Sequence, residues 1–250
     1  MPVVLKSTEE IEKMRRAGRV VREVLELVRS HVKPGATTAD LEKVAEARIS
    51  ALGARPAFKG YHGYPCVLCT SVNSEVVHGI PSARRVLKDG DIVSVDCGAV
   101  IDGFYGDAAI TVPVGQKLDA TTARLLRVTE DSLKSGIAAV KPGATLGDIG
   151  AAVQSVVEAE GFSVVRDFVG HGIGSNMHED PQVPNFGEAG RGMKLRTGMV
   201  IAIEPMVNAG APDVRVLKDG WTAVTGDGSM SAHFEHTVAV TETGAMILTE

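Results

Sequence analysis

Apolar residues near the start of the chain recur at three- and four-residue intervals: Ile11, Met14, Ala17, Val21, Val24, Leu25 and Val28. That spacing lines one face of a helix, and Ser7 with Glu10 supplies a capping box ahead of it. The same reasoning predicts a second helix over residues 38–52, closed by Gly53, and two more over roughly 123–140 and 146–160, the last closed by Gly161. Residues 92–95, 200–203 and 234–241 are rich in β-branched side chains and read as strands of a sheet assembled from both ends of the chain.

Helix, turn, helix and strands thus occur twice, and the sequence repeats with them. Val32-Lys-Pro-Gly-Ala-Thr37 returns 108 positions later as Val140-Lys-Pro-Gly-Ala-Thr145, and Leu87-Lys-Asp-Gly90 returns as Leu195-Arg-Thr-Gly198. The same interval carries Asp96 to Glu204, so each half ends an apolar strand with a carboxylate. A single domain over residues 1–250, built of halves at about 1–115 and 116–250, is the expected organisation. A pseudo-twofold axis brings equivalent positions together, where paired acids either repel or share a cation.

Composition removes several classes of function. The 250 residues are 44% hydrophobic and 23% charged, enough for a substantial buried core. Lys and Arg number 26 against 31 Asp and Glu, and no basic stripe stands out, which argues against a nucleic-acid ligand. The opening Met1-Pro-Val-Val-Leu5 meets Lys6, Glu9 and Glu10 at once, so neither a signal peptide nor a membrane span is expected, and the cytoplasm is the expected location. Three cysteines do not make a disulfide framework. Cys66-Val-Leu-Cys69 lacks the second pair of a zinc ribbon and the following helix of a redox motif.

The acids carry the chemistry. Ile101-Asp-Gly-Phe104 contains the dipeptide of a two-residue hairpin turn. With Asp102 and Gly103 in the turn, Gly98 opposes Asp107, and Asp96 projects from the same face as a diagonal neighbour. The missing side chain of Gly98 is expected to leave room for an ion. Glu204 ends one apolar strand, Glu235 precedes another in His233-Phe-Glu-His-Thr237, and His171 sits between glycines in Gly170-His-Gly-Ile-Gly174. Four carboxylates with one imidazole suit a pair of divalent transition ions of the kind used by two-metal hydrolases; a structural calcium site has no call for His171.

In these settings Asp96, Asp107, His171, Glu204 and Glu235 resemble the five ligands of the pita-bread metallopeptidases, across essentially the whole chain. Gly60-Tyr-His-Gly-Tyr-Pro65, Val77-His-Gly-Ile-Pro81 and Lys218-Asp-Gly-Trp221 are similar to the methionine aminopeptidases among them. The 30 residues between Glu204 and Glu235 and the immediate start at the first helix match the short bacterial type I form. The resemblance implies an α+β pita-bread fold, with two pseudo-symmetric halves sharing a central antiparallel sheet and helices outside. It implies removal of initiator methionine from nascent polypeptides whose second residue is small, by a cytoplasmic monomer with transient ribosome association. Two ions of cobalt, manganese, iron or zinc are implied, with a monovalent cation near Asn73 and Ser231.

By the same resemblance Asp107 and Glu235 bridge the ions, Asp96 chelates one, and His171 with Glu204 completes the other. Glu204 is also the implied proton shuttle, His78 the contact to the scissile amide, and His178 the support for the oxyanion. Phe58, Tyr61, Tyr64, Cys69, His78, Met177, His178 and Trp221 are the implied substrate-binding set, and an aromatic, sulfur-bearing pocket suits a thioether. Phe58 and Met177 depart from the residues usual in relatives, cysteine and phenylalanine, and so bear on pocket width. His31 reads as surface, and His62, His233 and His236 carry no role at this point. Aminopeptidase P, prolidase and a non-catalytic pita-bread module are the alternatives. The chain's own Met1-Pro2 is expected to lose its methionine.

Overall fold

The computed structural model describes residues 3–250; Met1 and Pro2, and with them the expected loss of Met1, lie outside the described residues. Among the described residues four α-helices form close to the expected spans. They are α1 (Thr8–His31), α2 (Thr38–Ala51), α3 (Ala120–Ala138) and α4 (Leu146–Ala159). Ser7 and Glu10 make the expected capping box on α1, and Thr37 with Asp40 and Thr145 with Asp148 make equivalent boxes on α2 and α4. Helix α3 starts three residues before its expected start because Asp119 accepts from the N–H groups of Thr121 and Thr122, which caps a turn the apolar spacing does not mark.

Nine strands form the main sheet: β1 (Arg55–Pro56), β2 (Leu68–Val72), β3 (Ile92–Ile101), β4 (Phe104–Pro113), β5 (Gly170–Gly172), β6 (Glu179–Val183), β7 (Val200–Ile203), β8 (Glu235–Thr241) and β9 (Gly244–Ile247). Their order is β1-β3-β4-β8-β7-β5-β6, with β2 also on β3 and β9 also on β8. Every pairing is antiparallel. The seam between the two halves of the chain falls between β4 and β8, where Ala109 pairs with Glu235 and Ala108 with His236. A threonine hydroxyl is spliced into the ladder on either side of those pairs. Thr237 Oγ1 accepts from Asp107 N–H and donates to its carbonyl, and Thr111 Oγ1 does the same for His233.

The repeat is visible bond by bond. Gly35 N–H donates to Leu87 O and Gly143 N–H to Leu195 O, both at 2.9 Å, and an isolated bridge joins Thr37 to Val86 as another joins Thr145 to Lys194. Gly35 and Gly143 sit at φ 88° and 85°, the left-handed region that the Lys-Pro-Gly turn requires.

Alternation along the strands decides which face holds what. Val93, Val95, Cys97 and Ala99 of β3 pack against Val21, Val24 and Leu41 of α1 and α2, and Ile201, Ile203, Val238 and Val240 pack against Leu133, Ile137 and Ile149 of α3 and α4. The helices cover the face that carries these residues, and residues of opposite parity on these strands point the other way, where Val200 and Ala239 meet Met14 near the start of α1. Helix α1 crosses closely: a Cβ on Gly106 would lie 2.6 Å from Gly18 N, so this crossing needs glycine on the strand. Two three-stranded sheets complete the structure. One joins Ser163–Val164, Met206–Asn208 and Ser231–His233, the other Glu75–Val77, Val214–Val216 and Ala223–Thr225.

Candidate active site

The Asp102-Gly103 turn has φ 50° and 79°, and the hairpin register is the expected one: Gly98 faces Asp107 and Asp96 faces Ala109. Ala109 faces Glu235 on its other side, so Asp96, Ala109 and Glu235 form one row across the sheet. The β7–β8 register pairs His236 with Ile203 and, continued one residue past β7, sets Glu204 beside Glu235. His171 of β5 brings Nε2 to 3.6 Å from Glu204 Oε1 and 3.8 Å from Asp107 Oδ2. Ligand atoms of Asp107, His171 and Glu235 lie within 4.8 Å of one another. Two halves of the chain thus deliver five side chains to one face at their seam.

Burial and mutual repulsion work against charging this cluster. Burial pushes the Asp96 carboxyl up to about 7. Burial, then neighbouring acids, hold Asp107, Glu204 and Glu235 well above the usual carboxylate range. Asp96 Oδ1, Asp107 Oδ1 and Glu235 Oε1 are buried without a hydrogen-bond partner. His171 is held down to about 3, chiefly by burial, and its Nδ1 donates to Gly172 O at 2.9 Å, which leaves Nε2 as a bare lone pair. Orphaned carboxylate oxygens around an unprotonated imidazole nitrogen fit divalent cations, whose charge removes the repulsion.

A cavity of about 290 Å³ opens onto these acids, and all eight residues of the expected substrate-binding set line it. Tyr64 and Trp221 meet edge to face at 5.1 Å, and Tyr64 Oη lies 2.9 Å from Leu68 O and 3.0 Å from Gly79 O, tying β2 to the His78 loop. His78 occupies φ 62°, strain at a position facing the cavity, and packs at 90° on Phe168. His178 meets His171 edge to face with centroids 4.3 Å apart, and its Nδ1 is 2.7 Å from Tyr61 Oη. Burial lowers His178, and lowers His78 to about 4, which favours the neutral form of both rings. The loop bearing Met177 and His178 is tied to the amino-terminal arm by Lys6 and Glu179, 2.5 Å apart and buried.

One expectation fails. The space at Gly98 does not belong to an ion: a Cβ there would lie 2.8 Å from Ala57 Cβ and 2.8 Å from Phe58 Cε1. Gly98 instead seats Phe58 in the cavity wall beside the acids. Val77, Phe168, Val169 and Met206 also line the cavity and escape the sequence reading, because nothing in their local pattern separates them from core residues. His62 lines the cavity as well, whereas His31 is exposed on α1. His236, of opposite parity to Glu235, bonds Thr249 Oγ1 at 2.8 Å. Cys66, Cys69 and Cys97 are free thiols.

Known proteins share this fold. The solved methionine aminopeptidase of Thermotoga maritima superposes with a TM-score of 0.98 at 52% identity, covering 99% of each chain. The prolidase of Pyrococcus horikoshii shares the fold at TM-score 0.80 and 23% identity, but this chain spans 63% of it. The fold is accordingly the pita-bread fold. A methionine aminopeptidase of Clostridium perfringens is 53% identical over 247 residues, covering 99% of this chain and 98% of that one. The model of Metallopeptidase family M24 matches residues 12–242, a span that takes in all five metal-binding candidates, and the chain belongs to that family.

Proposed function

We propose that the chain removes amino-terminal methionine from polypeptides whose second residue is small, using two divalent ions held by Asp96, Asp107, His171, Glu204 and Glu235. The observation that carries this reading is the seam itself: orphaned oxygens of Asp96, Asp107 and Glu235 stand beside an aromatic cavity in a chain 53% identical to a methionine aminopeptidase. Bound divalent ions supply Lewis acidity and make water nucleophilic at neutral pH.

The protein's own groups do the rest. Tyr64, Cys69, Trp221, Phe58 and Met177 enclose the methionine side chain in soft, aromatic surroundings. His78 contacts the scissile amide, and His178, oriented by Tyr61 Oη, donates to the oxygen that gains charge. Glu204 takes up and releases the proton at its carboxylate, whose affinity for protons is raised by burial and by Asp107 and Asp96.

Nascent chains beginning with methionine are the proposed physiological substrates, met in the cytoplasm by a monomer in transient association with the ribosome. Cobalt, manganese, iron and zinc all suit the ligand set. A monovalent cation is proposed near Asn73 and Ser231, where Asn73 holds φ 61° and its carbonyl accepts from Ser231 N–H at 2.9 Å. No helix among the described residues is long and apolar enough to cross a membrane.

A peptide panel analysed by mass spectrometry tests the reading. Met-Ala, Met-Gly, Met-Ser and Met-Pro peptides should lose only methionine, and Met-Lys and Met-Phe peptides should resist. Preference for Ala-Pro or Leu-Pro peptides would move the activity to the proline peptidases. No cleavage with both metal sites filled would favour a binding module.

A further inference from the structure

His233 has one side-chain nitrogen, Nε2, that is buried without a hydrogen-bond partner. The residue is 1% exposed, and the nitrogen lies 3.8 Å from Glu204 Oε2. The other oxygen of the same carboxylate, Oε1, lies 3.6 Å from His171 Nε2. Glu204 therefore stands between two imidazoles, one on each oxygen. Only His171 belongs to the group of side chains whose ligand atoms come within 4.8 Å of one another, and only His171 lines the cavity. His233 stands behind the carboxylate.

Its backbone has little freedom. Thr111 Oγ1 donates to His233 O at 2.7 Å and accepts from His233 N–H at 2.9 Å, and the strand pairing sets His233 opposite Met206, two residues past Glu204. Asn185 Nδ2 donates to Glu204 O at 3.0 Å, so the backbone carrying Glu204 is pinned as well. Two fixed backbones leave the carboxylate torsions as the adjustable element between them. A neutral imidazole carries one N–H, and the acceptor that Nε2 faces is Glu204.

We propose that His233 is a positioning residue: its Nε2–H donates to Glu204 Oε2 and holds the carboxylate with Oε1 turned toward His171 and Asp107. The inference rests on the metal-centre reading above, and it gives that centre an imidazole outside the ligand set and outside the cavity lining. Hydrogen bonds that orient a ligating carboxylate raise metal affinity without touching the metal.

Calorimetric titration of Mn²⁺ into chelator-stripped wild type, His233→Gln and His233→Leu tests it. The amide of Gln can donate and Leu cannot. His233→Leu should weaken Mn²⁺ binding about 10–100-fold, the range found for lost outer hydrogen bonds, and His233→Gln should restore it to within about threefold. The melting temperatures of the three metal-free proteins should agree, since the proposed contact serves the metal rather than the core. Wild-type affinity in His233→Leu overturns the inference, and so does His233→Gln as weak as His233→Leu, which would make the imidazole itself a ligand. Failure of wild type to bind Mn²⁺ at all sinks the metal-centre reading instead. Should His233→Leu not fold, nitrogen NMR of Zn²⁺-loaded wild type decides: a protonated Nε2 on His233 is expected, and a bare or metal-shifted Nε2 overturns the proposal.

Discussion

Asp96 and Glu235 come from opposite halves of the chain, yet both are register partners of one residue, Ala109. Its methyl group, 1% exposed, is the floor between two carboxylates. A larger side chain there should enter the space between them. Ala109→Val is expected to weaken divalent-ion binding by at least tenfold, with a stability cost of about 1–3 kcal/mol for overpacking. Equilibrium dialysis beside a denaturant melt separates the two effects. Full metal affinity would show that the ions do not sit over this row.

Metal binding and pH should be linked with a definite sign. The raised carboxylates, Asp96 to about 7 and Asp107, Glu204 and Glu235 well above the usual range, keep protons that the unfolded chain gives up near about pH 4. In that window the native state binds more protons, so their contribution to metal-free stability falls as pH rises. His171 and His233, lowered to about 3, and His78, lowered to about 4, act oppositely, gaining stability up to about pH 6.5 and adding nothing further above it. Above about pH 6.5 the carboxylates act alone, and divalent ions replace their protons. The melting-temperature gap between Mn²⁺-loaded and metal-free protein should widen from about pH 6.5 to about pH 8, with proton release seen by calorimetry in two buffers. A constant gap would mean the cluster is already charged without metal.

Much of this site was legible because two short-range rules reached far. Asp102-Gly103 fixed the register that aligns Asp96 with Asp107, and the 108-residue repeat linked Asp96 to Glu204 before any contact was known. The capping box read at Ser7 and Glu10 set the start of α1, whereas the equivalent boxes at Thr37 and Thr145 emerge only in the structure. What stayed hidden depends on packing between distant segments. Strands of two to five residues, such as Arg55–Pro56 and Gly170–Gly172, are too short to show alternation. Gly98 carries no mark that its neighbour is Phe58 rather than an ion. Phe168 reaches the cavity only because its loop lies against His78, 90 residues earlier in the chain.

Two substitutions divide the chemistry. Glu204→Gln keeps shape but removes a charge and a base, so turnover should fall far more than substrate affinity, as read from kcat and KM separately. Unchanged turnover would leave Glu204 a purely structural acid. His178→Ala should lower kcat by roughly 100- to 1000-fold, the usual cost of one oxyanion donor. Near wild-type kcat would reduce His178 to a ring packed on His171 and Tyr61.

The buried pair of Lys6 and Glu179 should matter for the shape of the pocket as well as for stability. Lys6 Nζ also donates to Val4 O in its own arm, while Glu179 Oε1 accepts from Asn176 N–H beside His178, so both charges are paired and further hydrogen-bonded. Gly174 leaves the space: a Cβ there would lie 2.3 Å from Lys6 Cε. Removing one partner leaves an uncompensated buried charge, and Lys6→Met alone is expected to cost about 3–5 kcal/mol. Lys6→Met with Glu179→Leu should recover most of that, because two apolar side chains desolvate at no penalty. Denaturant melts of the single and double variants give the coupling. If the double variant is as unstable as Lys6→Met, the cost lies in packing rather than charge. If it is stable yet shows raised KM for Met-Ala peptides, the ion pair holds Met177 and His178 against the substrate, since the rest of the pocket is untouched.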